Sequence, residues 1–124
     1  VFWHKEYLPD SAGAGLWRGG LGQRIVISAR DGKSFACSAA TFDRRDHPAR
    51  GRHGGLCGAP GLVYVQAADG QRQVHAGKGT IHVPAGSSLC VELPGGGGFG
   101  LNAKRDPALV LQDRTHGFLS HPEV

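Results

Sequence analysis

The sequence contains no methionine, no C-x-x-C pair and no apolar run near the roughly 18 residues that a membrane-crossing helix requires. No signal peptide is visible either, so neither secretion nor membrane insertion is indicated and a cytoplasmic location is expected. The missing methionine and an opening in mid-pattern, "VFWHKEYLPD", point to a piece excised from a longer polypeptide. Cysteine is scarce: Cys37, Cys57 and Cys90 lie far apart and make an odd count. That excludes a legible disulfide framework, so reduced, buried thiols are expected, with Cys37 and Cys90 acting as small hydrophobes in apolar runs. Aromatics are few, at 7%. The net charge of +4 is scattered rather than striped. The densest basic stretch, "DRRDHPARGRH" (Asp43 to His53), mixes four arginines with two aspartates and holds no aromatic side chain. A surface that tracks nucleic acid usually shows a cleaner basic stripe with stacking rings, so nucleic acid is not the favoured partner.

What the chain has is glycine: 21 of 124 residues, more than twice the average share of about 7%. The glycines gather at Gly13–Gly22, Gly51–Gly61 and Gly95–Gly100, with apolar segments between them. A chain of this length is one domain or part of one and can bury roughly two-thirds of its unfolded surface, so a packed core is feasible.

Short β-like segments recur. Phe2–Leu8 alternates with aromatics on both faces. Arg24–Ala29 and Ser34–Ala39 flank "RDGK", an Asp-Gly hairpin signal, and Leu62–Ala67 and Gln71–Ala76 flank a second one at Asp69-Gly70. Thr80–Val83 and Leu89–Leu93 follow. β-branched and aromatic residues in short runs favour strands, and strands joined by hairpins argue for an antiparallel barrel or sandwich. One helix is expected near Pro107–His116. Asp106 is its N-cap, Pro107 suits the first helical position, and Gly117 supplies a left-handed stop.

The motifs fall short of chemistry. Gly95, Gly97 and Gly100 satisfy G-x-G-x-x-G, but the dinucleotide fingerprint must open a helix, and here the helix begins too late and no βαβ unit follows. "HAGKGT" (His75 to Thr80) lacks the first Walker A glycine, since that position is Arg72. His53 and Cys57, with His47 nearby, have a possible ligand spacing, yet no second pair completes a zinc set. Arg18 in "WRGGLG" is a candidate clamp for phosphate or carboxylate, or else the partner of a surface ion pair or of Trp17. Lys78 has the same two readings. Four consecutive glycines predict an ordered loop in which neighbouring backbone leaves no room for a Cβ.

Read in order, "PDSAGAGLWRGGLG" (Pro9 to Gly22), "GLCGAPG" (Gly55 to Gly61) and "LPGGGGFG" with "KRDPALVLQDRTHGFLS" (Lys104 to Ser120) resemble the C-terminal region of hydantoinase B proteins. That family includes the matching half of 5-oxoprolinase and subunits of acetone and acetophenone carboxylases. Ala12 departs from an expected glycine, and Leu101-Asn102 stands where members often read Asp-Pro. The matching positions are Ser11, Arg18, Gly19, Gly20 and Gly22, then Gly55, Gly58 and Gly61, Lys78, and Pro94 with Gly95, Gly96, Gly97 and Gly98. They are carried over as structural or pocket-lining positions with no catalytic role.

The resemblance implies a single domain over 1–124, β-rich over 1–100 with a helical tail over 104–120, forming the C-terminal part of a hydantoinase B-type chain. It implies a parent that hydrolyses a cyclic amide with ATP, or carboxylates a ketone in the other branch. The implied partners are the rest of the B chain and a hydantoinase A-type ATPase. The parent would use ATP with magnesium and a zinc or manganese ion held outside this segment, which would be inactive alone and hold no cofactor. A small basic β-barrel that binds nucleic acid or an acidic partner is the rival reading.

Overall fold

The architecture follows from where the β-branched runs can bury one face. In the computed structural model, which describes residues 1–38 and 44–120, seven strands form before the third glycine segment. They are β1 (Phe2–Leu8), β2 (Gly22–Ile27), β3 (Phe35–Ser38), β4 (Leu62–Gln66), β5 (Arg72–His75), β6 (Thr80–Val83) and β7 (Ser88–Glu92). A 3-10 turn (Asn102–Lys104) and helix α1 (Pro107–Thr115) follow. The end of the expected Ser34–Ala39 strand, Asp43 of the basic stretch and the closing residues 121–124 lie outside the described residues.

Five strands make an antiparallel sheet in the order β1-β2-β7-β4-β5, and β3 pairs with β6 in a second, two-stranded layer. Strands β4 and β7 are central, and their register sets Val63 opposite Val91 and Val65 opposite Leu89. Directly opposed residues share a face, so all four point to one side. There they meet Ile81 and Val83 of β6, with Ile25, Phe35, Cys37 and Leu93 packed around them. This two-layer core is a sandwich-like arrangement rather than a closed barrel, because among the described residues the large sheet ends at β1 and β5.

One hairpin expectation is corrected. Asp31-Gly32 does form a turn, with Gly32 at φ 70°, but it does not join paired strands. Strand β2 pairs with β1 and β7, while β3 crosses to the other layer to pair with β6. Ile25 and Phe35 reach the same core only if the chain changes sheets at this turn. The second Asp-Gly signal does make a hairpin. Gly70 sits at φ 88°, and Asp69 Oδ1 accepts from the Gln71 amide at 2.9 Å.

Helix α1 matches its sequence signals at both ends. Asp106 Oδ1 accepts from Ala108 N at 2.8 Å. At the other end, Gly117 adopts φ 73°. Its amide reaches Arg114 O at 3.0 Å and the Phe118 amide reaches Asp113 O at 2.8 Å, the paired bonds of a Schellman stop. That stop turns Phe118 back toward the body of the protein.

The core predicts a sharp contrast between two leucines. Leu89 is 1% exposed and Leu111 66%. Leu89→Ala should cost about 2–5 kcal/mol by urea unfolding, whereas Leu111→Ala should stay within about 0.5 kcal/mol.

Candidate functional site

The three glycine clusters converge. Segment 94–100 runs between segments 11–22 and 49–61, and its amides donate alternately to the two neighbours. Gly95 N reaches Ala59 O and Gly98 N reaches Leu56 O on one side; Gly96 N reaches Gly20 O and Phe99 N reaches Trp17 O on the other, all between 2.8 and 3.1 Å. Partners thus recur every third residue, which is the period of the polyproline II helix. Such a strand has no internal hydrogen bonds and needs neighbours to take its polar groups.

The spacing between these backbones leaves no space for side chains. A Cβ on Gly95 would lie closer than 3.0 Å to Ser11, on Gly97 to Arg50, and on Gly98 to Ala14, each time against backbone atoms. The reverse contacts hold as well: Cβ atoms on Gly19, Gly55 and Gly58 would strike Gly96, Gly98 and Gly95. Positive φ is not the reason for Gly95–Gly98, which all lie outside the left-handed region; Gly100, at φ 75°, is the exception nearby. The segment is therefore a packed structural strand, and it opens no helix that could face a pyrophosphate.

Side chains lock this bundle. Ser11, 2% exposed, donates through its hydroxyl to Leu8 O at 2.5 Å and accepts from the Gly22 amide at 2.8 Å, closing the first loop on itself. Arg18 Nε bonds Asp113 Oδ1 at 2.9 Å and its Nη1 bonds Gly19 O at 3.0 Å. Arg105 donates to Asp113 Oδ2 at 2.7 Å and to Leu16 O at 3.0 Å. Asp113 is a buried carboxylate held by two guanidinium groups. Burial works to raise its pKa, but the hydrogen bonds from Arg18 and Arg105 outweigh that and hold it below the ordinary value. Phe118 lies under the Arg18 guanidinium, 5.2 Å from centroid to carbon. Helix α1 is thereby fastened to the first glycine loop. A cavity of about 230 Å³ remains between them, lined by Ala14, Gly15, Arg18, Arg105 and Phe118.

The structure brings Ser11, Arg18, Gly19, Gly20, Gly22, Gly55, Gly58, Pro94 and Gly95–Gly98 into this one region. The Arg18 fork is engaged by Asp113 and Gly19, and its aromatic neighbour is Phe118 rather than Trp17. Gly61 is buried at the end of the second segment, its amide on Arg44 O at 3.1 Å. Lys78 is not brought in; it is exposed in the turn between β5 and β6, flanked by Gly77 and Gly79 at φ 81° and 88°. His53 packs against Phe99 with centroids 4.9 Å apart and the rings tilted by 56°. Among the described residues no three histidine, cysteine or acidic side chains gather as a metal would need. Cys57 is exposed rather than buried, because its segment presents backbone, not side chain, to the bundle.

Sequence reasoning missed Arg105 and Asp113, since Arg18 and Asp113 are 95 positions apart. It also passed over the three-residue spacing of Gly55, Gly58 and Gly61, a second signal of this packing beside the run of four glycines. A second feature was not foreseen: an open bowl of about 390 Å³ on the outer face of the large sheet. Tyr64 and Cys90 floor it, each 2% exposed. Arg72 stacks over the Tyr64 ring at 4.7 Å, and Arg24 is tied to Glu92 at 2.9 Å. Burial pushes the Cys90 thiol above its ordinary pKa, so it remains protonated and is a poor nucleophile.

A sequence model of the family described as hydantoinase B/oxoprolinase matches residues 1–102. 5-oxoprolinase 1 of Arabidopsis thaliana is 42% identical over 93 residues, which is 75% of this chain and 7% of that protein. The solved ATP-dependent caprolactamase of Pseudomonas jessenii superposes on 95% of this chain with a TM-score of 0.77 and 27% identity, and 21% of its own chain is covered. A nucleotide-free acetone carboxylase shares the fold over 98% of this chain and 20% of its own, with a TM-score of 0.74 at 18% identity. The chain therefore spans about a fifth or less of each of these proteins.

The bundle predicts a ranking of glycine substitutions by thermal or urea unfolding. Gly97→Ala should cost about 3 kcal/mol, because backbone surrounds the new methyl. Gly86, at φ 74° with open space around it, should cost about 1 kcal/mol as alanine. Gly20, with nothing within 4 Å and no positive φ, should change by less than about 0.5 kcal/mol.

Asp113 predicts an acid limb. A carboxyl whose folded pKa is depressed contributes in full above its unfolded pKa, and that contribution fades as pH falls through the lower folded value. Asp113→Asn should lower stability at neutral pH by about 3 kcal/mol, because it strands two arginines. It should also flatten the loss of stability in acid, read from unfolding curves across pH.

Proposed function

We propose that this chain, which belongs to the hydantoinase B/oxoprolinase family, is the C-terminal β domain of a longer B-type polypeptide and serves there as scaffold. The observation that carries this reading is the bundle: its amides, its two arginines and its buried carboxylate are engaged with one another. A nucleotide cradle presents free amides to a ligand, whereas here the amides of Gly95, Gly96, Gly98 and Gly100 all donate to backbone carbonyls. A backbone so closely fitted suits a rigid base that positions other parts of an enzyme.

The parent, on this reading, hydrolyses the C–N bond of a cyclic amide at the expense of ATP. The 42% identity to a 5-oxoprolinase and the likeness to an ATP-dependent caprolactamase support that branch. Amide resonance makes such a carbonyl a poor electrophile, and phosphorylation of its oxygen by ATP is the chemistry that relieves it. A hydantoinase A-type ATPase partner would supply that step with magnesium. A divalent metal, zinc or manganese, would be bound in the B chain outside this segment. None of the described helices is long and apolar enough to cross a membrane.

The test is turnover by the parent B-type chain with its A-type partner, offered ATP and 5-oxoproline, a hydantoin or caprolactam. Equal yields of phosphate and ring-opened amino acid are expected, and the 124-residue chain alone should release no phosphate above the blank. Turnover that requires bicarbonate and a ketone would assign the carboxylase branch instead. Salt-sensitive binding of this chain to random single-stranded DNA would favour a nucleic-acid module.

A further inference from the structure

Strand β1 closes one end of the large sheet, with β2 as its one partner among the described strands. A strand in that position leaves a row of amide and carbonyl groups without partners. Proteins guard such edges with short strands, proline or charge, but β1 is seven residues long and has no proline. Its charges, Lys5 and Glu6, stand at the middle, and its aromatics stand toward the ends.

The register sharpens the point. Phe2 lies opposite Ile27, Lys5 opposite Ile25 and Tyr7 opposite Gln23, and opposed residues share a face. Ile25 packs against the core, so Phe2 and Tyr7, with Lys5 between them, stand on the sheet face that the second layer covers. They are nonetheless 67% and 60% exposed, and Trp3, at an irregularity in the register, is 61% exposed. The cause is geometric: the second layer has two strands, β3 and β6, beneath a sheet of five. The layer ends before it reaches β1, which leaves Phe2 largely uncovered and Tyr7 covered in part, by the Phe118 ring with centroids 6.2 Å apart.

We propose that an apolar β-strand from the parent polypeptide, outside this chain, pairs with the free edge of β1 and covers Phe2, Trp3 and Tyr7. This rests on the reading of the chain as part of a longer B-type polypeptide. The caprolactamase matches 95% of this chain with only 21% of its own, so a relative carries ample chain beyond this domain. A segment on the same polypeptide meets the edge at high effective concentration. A second copy fits less well, because antiparallel self-pairing centred on Lys5 would set two lysines opposite each other.

The experiment compares Phe2→Arg in the full-length parent and in the 124-residue chain, with amide exchange over residues 2–8 measured in both. Phe2→Arg should lower the parent Tm by at least about 2 °C and leave the Tm of the short chain unchanged. Exchange of the outward amides of β1 should be at least about tenfold slower in the parent. Equal exchange in the two proteins, or an unchanged parent Tm, overturns the proposal. So does sedimentation of the short chain as a dimer that Phe2→Arg dissociates, which would assign the edge to a second copy. A parent that shows these shifts but no turnover of cyclic amides would refute the proposed activity and leave the docked strand standing.

Discussion

Backbone meeting backbone without intervening side chains is the constraint on which the rest of this molecule depends. Segments 11–22, 49–61 and 94–100 lie too close for a Cβ at most of their glycines, and most of their backbone hydrogen bonds run between segments. Polypeptide held in this way gains little from the hydrophobic effect, because glycine has no apolar side chain to bury. It also orders the residue with the most conformational freedom to lose. Stability must come from elsewhere, and two neighbours supply it. The sandwich core of Val63, Val65, Ile81, Val83, Leu89 and Val91 anchors the strands that lead into and out of the bundle. The Arg18–Asp113–Arg105 cluster fixes the side that faces the helix.

That cluster explains the placement of the helix. An isolated nine-residue helix is marginal in water, and none of the apolar residues of α1 is buried. Its one buried side chain is Asp113, so the helix is held mainly through charge and through its C-terminal turn. The Asp10 amide bonds Phe118 O at 3.0 Å and the Ser120 amide bonds Asp10 Oδ1 at 2.9 Å, joining the helix exit to the entry of the first glycine loop. Replacing the buried ion cluster by apolar residues is often neutral or stabilising in other proteins. Here the guanidinium groups also accept the geometry of the loop, by donating to Gly19 O and Leu16 O, which an apolar side chain could not do.

Much of the fold was legible because it rests on local signals. The β-branched runs, the Asp69-Gly70 hairpin and the Asp106-Pro107 cap with its Gly117 stop depend on residues a few positions apart. The Asp31-Gly32 turn misled because a turn signal fixes chain reversal and not the partner; burial of Ile25 and Phe35 across two layers decided that. The close packing of "LPGGGGFG" was also legible, although its cause is contact with Ser11, Ala14 and Arg50 rather than positive φ. The ion cluster was not legible, since its members come together only after the bundle forms. Lys78 looked comparable to Arg18 in a glycine-rich setting, but its glycines serve a turn between β5 and β6.

The two faces of the molecule differ in how completely their polar groups are used. In the bundle most amides find a carbonyl on a neighbouring segment, and the depressed pKa of Asp113 reflects the two guanidinium groups that hold it. On the outer sheet face the partners are looser: Arg24 spends both of its contacts on one oxygen of Glu92, and Arg72 covers Tyr64 through its π face. Burial raises the pKa of Tyr64 as it does that of Cys90, so the floor of the bowl stays neutral and protonated at physiological pH. Of the charges around that floor, Arg24 is paired with Glu92 and Arg72 lies on the Tyr64 ring. The bundle therefore sets the shape of this domain, and the open sheet, at its outer face and at β1, is where it has bonding capacity left over.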